Sequence, residues 1–508
     1  MTAPPLTPAP GGEPQGTTAV IAHPQGNTTA VVGTPPDPMQ SLEPAARPVR
    51  TPRRRTVPGR IRTRAAVCLL AVAALFGGTF WAIGNVRDGL TVIGEDAGPQ
   101  VVATADMYFA LSDMDAQVAN ILLIGRETGL GDGKDKAVRR YEQRQAEVGK
   151  ALLLASDLAI GDATEKRTVE ALLNGFGRYQ QLAERAMLLN QQAAHPAGPP
   201  PAQVVSVYRA ATDLMRLDLL PKAYNLTLES GTIVRQTYET QYLAINIGRI
   251  VVGVVGLGTL VALVMIQVFL ARRFRRVVNP ALLVATVGVG VLTVAAVLLL
   301  GNGAEGLRKA KEEGFNSVLA MSRARAIGNT MHGDQSRYLL DPERADTYEQ
   351  VYLDNSQKVL YTAGGSLDKY YVGVDKAVGQ YPDSIAFLGF HGDEAKSIVN
   401  RPDEKTALVR VLKGYQRFQQ SDRQMRLLVN SQKGAEAIAE RMGDLSRRFQ
   451  AYDNALVDLI KLHGGTFDEE IKKGDASLGG WNWLLPGVAL AAALLILLGV
   501  RPRLSEYR

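Results

Sequence analysis

Two stretches of the chain carry the residues best suited to contact a ligand or a partner. GFGRYQQLAERAMLLNQQ (175–192) and GYQRFQQSDRQMRLLVNSQ (414–432) align residue for residue: Gly175 with Gly414, Phe176 with Tyr415, Arg178 with Arg417, Tyr179 with Phe418, and Leu188–Leu189 with Leu427–Leu428. Arg178 and Arg417 each sit between two aromatic residues. A guanidinium so placed can cradle an anionic or amino-acid ligand or an acidic patch of a partner, or lie along the flank of its own helix. The copies differ at one informative position, where Ala183 is matched by Asp422. Ala183 belongs to an apolar stripe with Leu172, Phe176, Tyr179, Ala186 and Leu189, spaced by three and four as on one helix face. A carboxylate on such a stripe is costly without a partner. Asp422 therefore turns to solvent, or meets Arg423, Arg426 or an arginine of another helix, and it is a candidate contact for a ligand or a switch.

Catalytic patterns do not emerge. HExxH, GxSxG, a Walker phosphate loop and GxGxxG with a following acid are all missing. The five histidines (His23, His195, His332, His391, His463) are scattered, and Cys68 is the single cysteine, so neither a disulfide framework nor a thiolate metal site forms within one chain. The pattern predicts a non-enzyme with no cofactor and no metal.

The elements that must position these residues are membrane helices and helical bundles. Of the 508 residues, 46% are apolar and 21% charged, and the apolar residues are concentrated in blocks. Four blocks, 65–86, 250–271, 281–301 and 481–500, are each about 20 residues long, enough to span a hydrocarbon core. The net charge of +7 does not point to nucleic acid, because arginines crowd beside these blocks. Arg50, Arg53, Arg54, Arg55, Arg60, Arg62 and Arg64 precede the first span; Arg272, Arg273, Arg275 and Arg276 fill 272–280; and Arg501, Arg503 and Arg508 follow the last. The positive-inside rule then places both termini and that loop in the cytoplasm of a multi-pass plasma-membrane protein. Basic ends also suit anionic lipid or an acidic partner. Small residues in the spans (Ala74, Gly78, Gly253, Gly256, Gly258, Ala262, Gly288, Gly290) favour close helix packing or a homodimer. No ionisable side chain lies deep in a span, which argues against a transport pathway.

Segments 87–249 and 302–480 are left outside. Their composition predicts helices over 90–128, 134–159, 163–193 and 202–249, and over 303–340, 343–379, 403–433 and 435–474. Each set starts from one span and ends in the next, the connectivity of an up-down-up-down four-helix bundle. The predicted fold is all-α: four transmembrane helices with two tandem extracytoplasmic four-helix bundles. MDAQVANILL (114–123) against MHGDQSRYLL (331–340) is a second, weaker match between first helices. Residues 1–64 form a Pro- and Thr-rich tail, predicted disordered before its basic end, and 501–508 a short cytoplasmic tail. In PQGTTAVI (14–21) and PQGNTTAVV (24–32), Thr17, Thr18, Thr28 and Thr29 are candidate phosphoacceptors.

The outer segments are similar to the four-helix-bundle sensor domains of bacterial chemotaxis receptors and histidine kinases. Residues 60–508 as a whole resemble an actinobacterial four-span membrane protein that works with an extracytoplasmic glutamate/aspartate-binding lipoprotein and cytoplasmic protein kinase G. The paired threonines are similar to sites which that kinase phosphorylates in its forkhead-domain substrates. The resemblance implies sensing of amino-acid availability through the lipoprotein and relay to the kinase. The alternatives are a cell-envelope scaffold without ligand and an accessory transport component.

Overall fold

The computed structural model describes residues 57–505 apart from 132, 159–162, 275–278 and 399–400. Thr17, Thr18, Thr28, Thr29, Arg50, Arg53, Arg54, Arg55, Arg275, Arg276 and Arg508 lie outside the described residues.

In chain order the helices are α1 (Val57–Thr91), α2 (Gly98–Ile124), α3 (Lys134–Leu158), α4 (Ala163–Ala193), α5 (Ala202–Leu214), α6 (Leu220–Phe274), α7 (Pro280–Lys309), α8 (Asn316–Leu340), α9 (Ala345–Val359), α10 (Leu367–Gln380), α11 (Phe390–Ser397), α12 (Pro402–Asn430), α13 (Gly434–Glu440), α14 (Ser446–Leu478) and α15 (Trp481–Ser505). No strand occurs among the described residues, and the chain is an all-α, multi-pass membrane protein. Four helical runs, Gly59–Ile124, Ala202–Arg272, Pro280–Leu340 and Gly434–Pro502, are long and apolar enough to cross a membrane. At 1.5 Å per residue such runs reach about 90–105 Å, three times the hydrocarbon thickness, so each extends far beyond it.

One π-helical turn interrupts each run: Val92–Ala97, Met215–Leu219, Ala310–Phe315 and Arg441–Leu445. A π-turn inserts one residue and rotates the faces on either side. It thus aligns one stripe to the spans and another to the domain beyond them. The first and third π-turns carry glycines that face α14. A Cβ on Gly314 would lie 2.9 Å from the Phe467 Cα, and one on Gly94 would lie 2.9 Å from Ile471 Cγ2. The fourth run is the least regular. A turn at Gly479–Gly480 separates α14 from α15, where the sequence predicts an unbroken passage. Two adjacent glycines lower the helix propensity there.

The membrane helices close into a ring, α1 beside α6, α6 beside α7, α7 beside α15, and α15 beside α1. Leu75, Val252, Leu263, Val289, Ala296 and Ile496 share its core. Gly256 must be small, because a Cβ there would come 2.3 Å from Thr293 Cγ2; Gly258 and Gly288 face open space. The outward face is apolar, with Leu70, Val254, Leu257, Val291 and Leu490 exposed, as contact with acyl chains requires.

Beyond the spans, the two segments share one continuous hydrophobic core, from Met107 and Val118 through Leu339 and Tyr415 to Leu456. Its centre is the pair α2 and α8. Residues 111–125 are buried without exception, and in 329–337 every residue is buried. The weaker sequence match therefore marks the two central helices, which over these stretches leave no face to solvent. They run side by side, and their polar contacts join near-equivalent residues. Ser112 meets Thr330 at 2.9 Å, the Asn329 amide donates to Ser112 Oγ at 3.3 Å, and Ser336 Oγ donates to Asn120 Oδ1 at 2.7 Å. These pairs are separated by 218, 217 and 216 residues in sequence, a nearly constant offset.

The stronger match also falls at like environments. Phe176, Tyr179, Tyr415 and Phe418 are buried, while Leu188 and Leu427 are 55% and 50% exposed. Gly175 and Gly414 both admit a neighbour from the last helical run of their segment: a Cβ would lie 2.6 Å from Leu219 Cδ2 in one and 3.1 Å from the Tyr452 Cα in the other. The single helix predicted over 343–379 is corrected to α9 and α10. Thr362-Ala-Gly-Gly-Ser366 cannot sustain a helix, and Leu360 turns extended so that Tyr361 pairs with Leu388 in an isolated antiparallel bridge. The break expected at 380–394 gains a short helix, α11.

Candidate functional site

Asp422 is fully buried and lies at the junction of α8, α10 and α12. Its carboxylate accepts from the Gln335 amide at 2.9 Å, from Arg426 Nε at 2.9 Å, and from the Tyr371 hydroxyl. Of the arrangements open in the sequence, the neighbour one helical turn on, Arg426, supplies the countercharge. Arg426 also reaches Glu349 at 2.9 Å and packs over the rings of Tyr338 and Tyr352. Burial opposes its charge, and Asp422 with Tyr371 more than offsets this, so its pKa is held above the ordinary arginine value. Burial, reinforced by Asp422, pushes the Tyr371 hydroxyl up. Arg178 and Arg417 lie exposed on their helices, away from this cluster.

A second charged cluster, between α2 and α8, joins the two segments. Arg337 is 1% exposed and donates to Asp115 Oδ2 and Asp334 Oδ1, both at 2.6 Å, while its Nε meets the Tyr208 hydroxyl at 3.3 Å. Asp115 also accepts from Tyr179 Oη at 3.0 Å and Thr212 Oγ1 at 2.8 Å. One buried carboxylate thus ties α2, α4, α5 and α8 together. Burial disfavours the Arg337 charge; Tyr208 and the two carboxylates outweigh that and raise its pKa well above normal.

Arg441, in the fourth π-turn, is the exception. It is fully buried, yet no carboxylate lies within ion-pair reach among the described residues. Its partners are neutral: Ser446 Oγ at 2.9 Å, Asn120 Oδ1 at 3.2 Å and the His332 carbonyl at 2.8 Å, with Nε left unpaired. Burial pushes its pKa down to about 9, so it stays cationic at neutral pH. His332 stacks on Phe449 with ring centroids 4.1 Å apart, and burial next to Arg441 keeps it neutral.

Asn120, His332 and Ser446 also line a cleft of about 480 Å³ between α2 and α3 of the first segment and α8, the fourth π-turn and α14 of the second. That volume lies in the range of small-molecule sites. The walls carry both signs. Asp113 pairs with Arg144 at 2.6 Å and with Arg140 at 3.6 Å, and Asp453 forms a two-point contact with Arg325 at 2.7 and 3.0 Å. The cleft has an amphoteric rim and an uncompensated cation beneath its floor. This suits a small solute bearing carboxylate and ammonium groups.

None of Asp115, Asp334, Arg337 and Arg441 emerges from the sequence. A signal was present for the first three: the matched decapeptides carry Asp, Gln, Asn and Arg with no clean polar face. Arg441 gave no such signal, because an arginine in a helix is ordinarily exposed.

Residues 89–239 match the actinobacterial sensor domain. The match covers the end of α1 through the middle of α6, and so supplies the α2 and α3 wall of the cleft. Neither a curated protein nor a solved structure matches the chain. The four membrane helices and the sensor-domain segment together fit an actinobacterial membrane sensor.

Proposed function

We propose that the chain is a receptor-like transmembrane signal transducer. It reports extracytoplasmic amino-acid or solute availability, received in the inter-segment cleft or through a solute-binding lipoprotein, to a cytoplasmic serine/threonine kinase. Both termini lie in the cytoplasm and the helical domain outside. One observation carries the reading: α2 and α8, which wall the cleft, continue into two of the four spans, and α14 leads into a third across the Gly479–Gly480 turn. A solute drawing the walls together displaces the helices that cross the membrane, and shifts of about 1–2 Å suffice to switch an interface. The two halves act as a covalently joined pair, a tandem repeat in which α2 and α8 meet as equivalent helices meet in a parallel dimer. The near-constant offset of their contacts and the paired roles of Gly175 and Gly414 support duplication. A homodimer of the whole chain is a further level, for which Gly258 and Gly288 leave room on the lipid face.

The test uses the full chain in lipid nanodiscs, melted with each of the twenty amino acids. Glutamate or aspartate should raise the midpoint. Arg140→Ala should weaken that effect about tenfold or more, the worth of one charged hydrogen bond. Its own melting should move little, because the Arg140 pair is half-exposed. Affinity recovery of the intact protein should yield a solute-binding lipoprotein and a soluble kinase. Indifference to every amino acid, with neither partner recovered, would favour a scaffold.

A further inference from the structure

His463 on α14 is completely buried between two carboxylates. Glu394, from α11, places Oε1 2.8 Å from the imidazole Nε2, and Glu404, in the first turn of α12, places Oε1 3.7 Å from Nδ1. The Glu394 and Glu404 side chains are only 2% and 7% exposed. At these distances hydrogen bonds would be expected, yet His463 Nδ1 and Nε2 and Glu394 Oε1 have no hydrogen-bond partner.

The charge balance points the same way. Arg401 donates to Glu404 Oε2 at 2.7 Å and is shared with Glu313 of the third π-turn at 3.2 Å, which also meets Arg308 at 3.3 Å. Glu394 has no Lys or Arg within ion-pair reach among the described residues. A buried carboxylate oxygen and an imidazole without hydrogen bonds are each costly, and a divalent cation on one ring nitrogen would satisfy that nitrogen and the Glu394 oxygen together.

We propose that Glu394, Glu404 and His463 form a structural or regulatory site for a divalent transition metal, with zinc as the best match. Each residue offers one ligand atom, and these atoms lie within 4.8 Å of one another. One imidazole nitrogen with two carboxylate oxygens is a zinc-type donor set that leaves a fourth position for water. Calcium and magnesium are disfavoured, since they take six or more oxygens and no imidazole. The site lies between Leu459, in the core beyond the membrane, and Phe467, beside the spans. Metal binding there would pin α11 and α12 to the helix that runs on toward α15.

The experiment uses the full-length chain without a histidine tag, stripped with chelator in nanodiscs and titrated with zinc, manganese or magnesium chloride. Bound metal and melting midpoint are read together. One zinc per chain and a midpoint raised by zinc, with no response to magnesium, is the expected result. His463→Gln and Glu394→Gln should each weaken zinc binding by more than the roughly 10–100-fold typical of outer-shell losses. Asp393→Asn, next to the site and exposed, should bind as the parent does. Glu394→Gln keeps the shape of the side chain and guards against a folding failure of the histidine variant. Substoichiometric zinc with an unchanged midpoint in folded protein would overturn the site. Equal binding by parent and variants, or stabilisation that follows acidification alone, would also overturn it, the last identifying an imidazolium between two carboxylates.

Discussion

Arg337→Ala is expected to cost about 3–5 kcal/mol of stability, one of the two largest losses from a single substitution in this protein. The guanidinium is enclosed, and its removal strands Asp115 and Asp334, both fully buried, with no other cation in contact among the described residues. Asp115 would keep the Tyr179 and Thr212 hydroxyls, which satisfy lone pairs but do not neutralise charge. A buried pair is not itself strongly stabilising, because desolvation cancels most of the attraction. Replacing all three together should therefore be mild. Asp115→Asn, Asp334→Asn and Arg337→Met in one chain should recover more than half of the loss. Denaturant melts of the three single variants and the triple variant check this. A triple variant as unstable as Arg337→Ala would show that geometry rather than charge is at issue.

Asp422→Ala is expected to cost about 3 kcal/mol, because it leaves Arg426 buried with only the half-exposed Glu349 as countercharge. It also strands the Tyr371 hydroxyl and leaves the Gln335 amide only its longer contact to the Tyr352 hydroxyl at 3.4 Å. Asp422→Asn should cost less, since the amide oxygen still accepts. The converse substitution sharpens the case. Ala183→Asp puts a carboxylate at the matched position of α4, where Ala183 is fully buried in an apolar cluster, and it should unfold the first segment. Circular-dichroism melts of the three variants give the order. Tolerance of Ala183→Asp would mean that α4 offers a carboxylate there the kind of polar partners that Asp422 has on α12.

Much of this architecture was legible in the sequence, for identifiable reasons. The membrane helices are long and apolar, so their period and length leave little choice. Gly175 and Gly414 were readable as equivalent because both sit inside a run of identities, and both turn out to receive a side of the last helical run. The shared core was not readable. Helix period tells which face of α4 or α12 is apolar, but α2 and α8 are buried all round over 111–124 and 329–337 and carry no period to read there. The polar residues that fill them, Asp115, Asn120, Asp334 and Arg337, resemble a solvated face until a partner is placed opposite. Glu394, Glu404 and His463 come from three separate helices, one of them the short α11 in what reads as a loop. No local spacing could have joined them. Arg178 and Arg417, the residues most conspicuous beside aromatic rings, proved exposed on the helix surface.

A change at the cleft should reach the far ends of the spans, through unbroken helical runs into α1 and α7 and across the Gly479–Gly480 turn into α15. Spin labels at Arg62→Cys and Arg501→Cys, with Cys68→Ala, report the separation of α1 and α15 at those ends, where both native side chains are exposed. Pulsed electron-spin distances would be taken in nanodiscs with and without saturating glutamate or aspartate. The account predicts a shift of the mean distance by about 1–2 Å or more, which in Arg140→Ala needs about tenfold or more ligand. Demonstrated ligand binding with an unchanged distance distribution would contradict it.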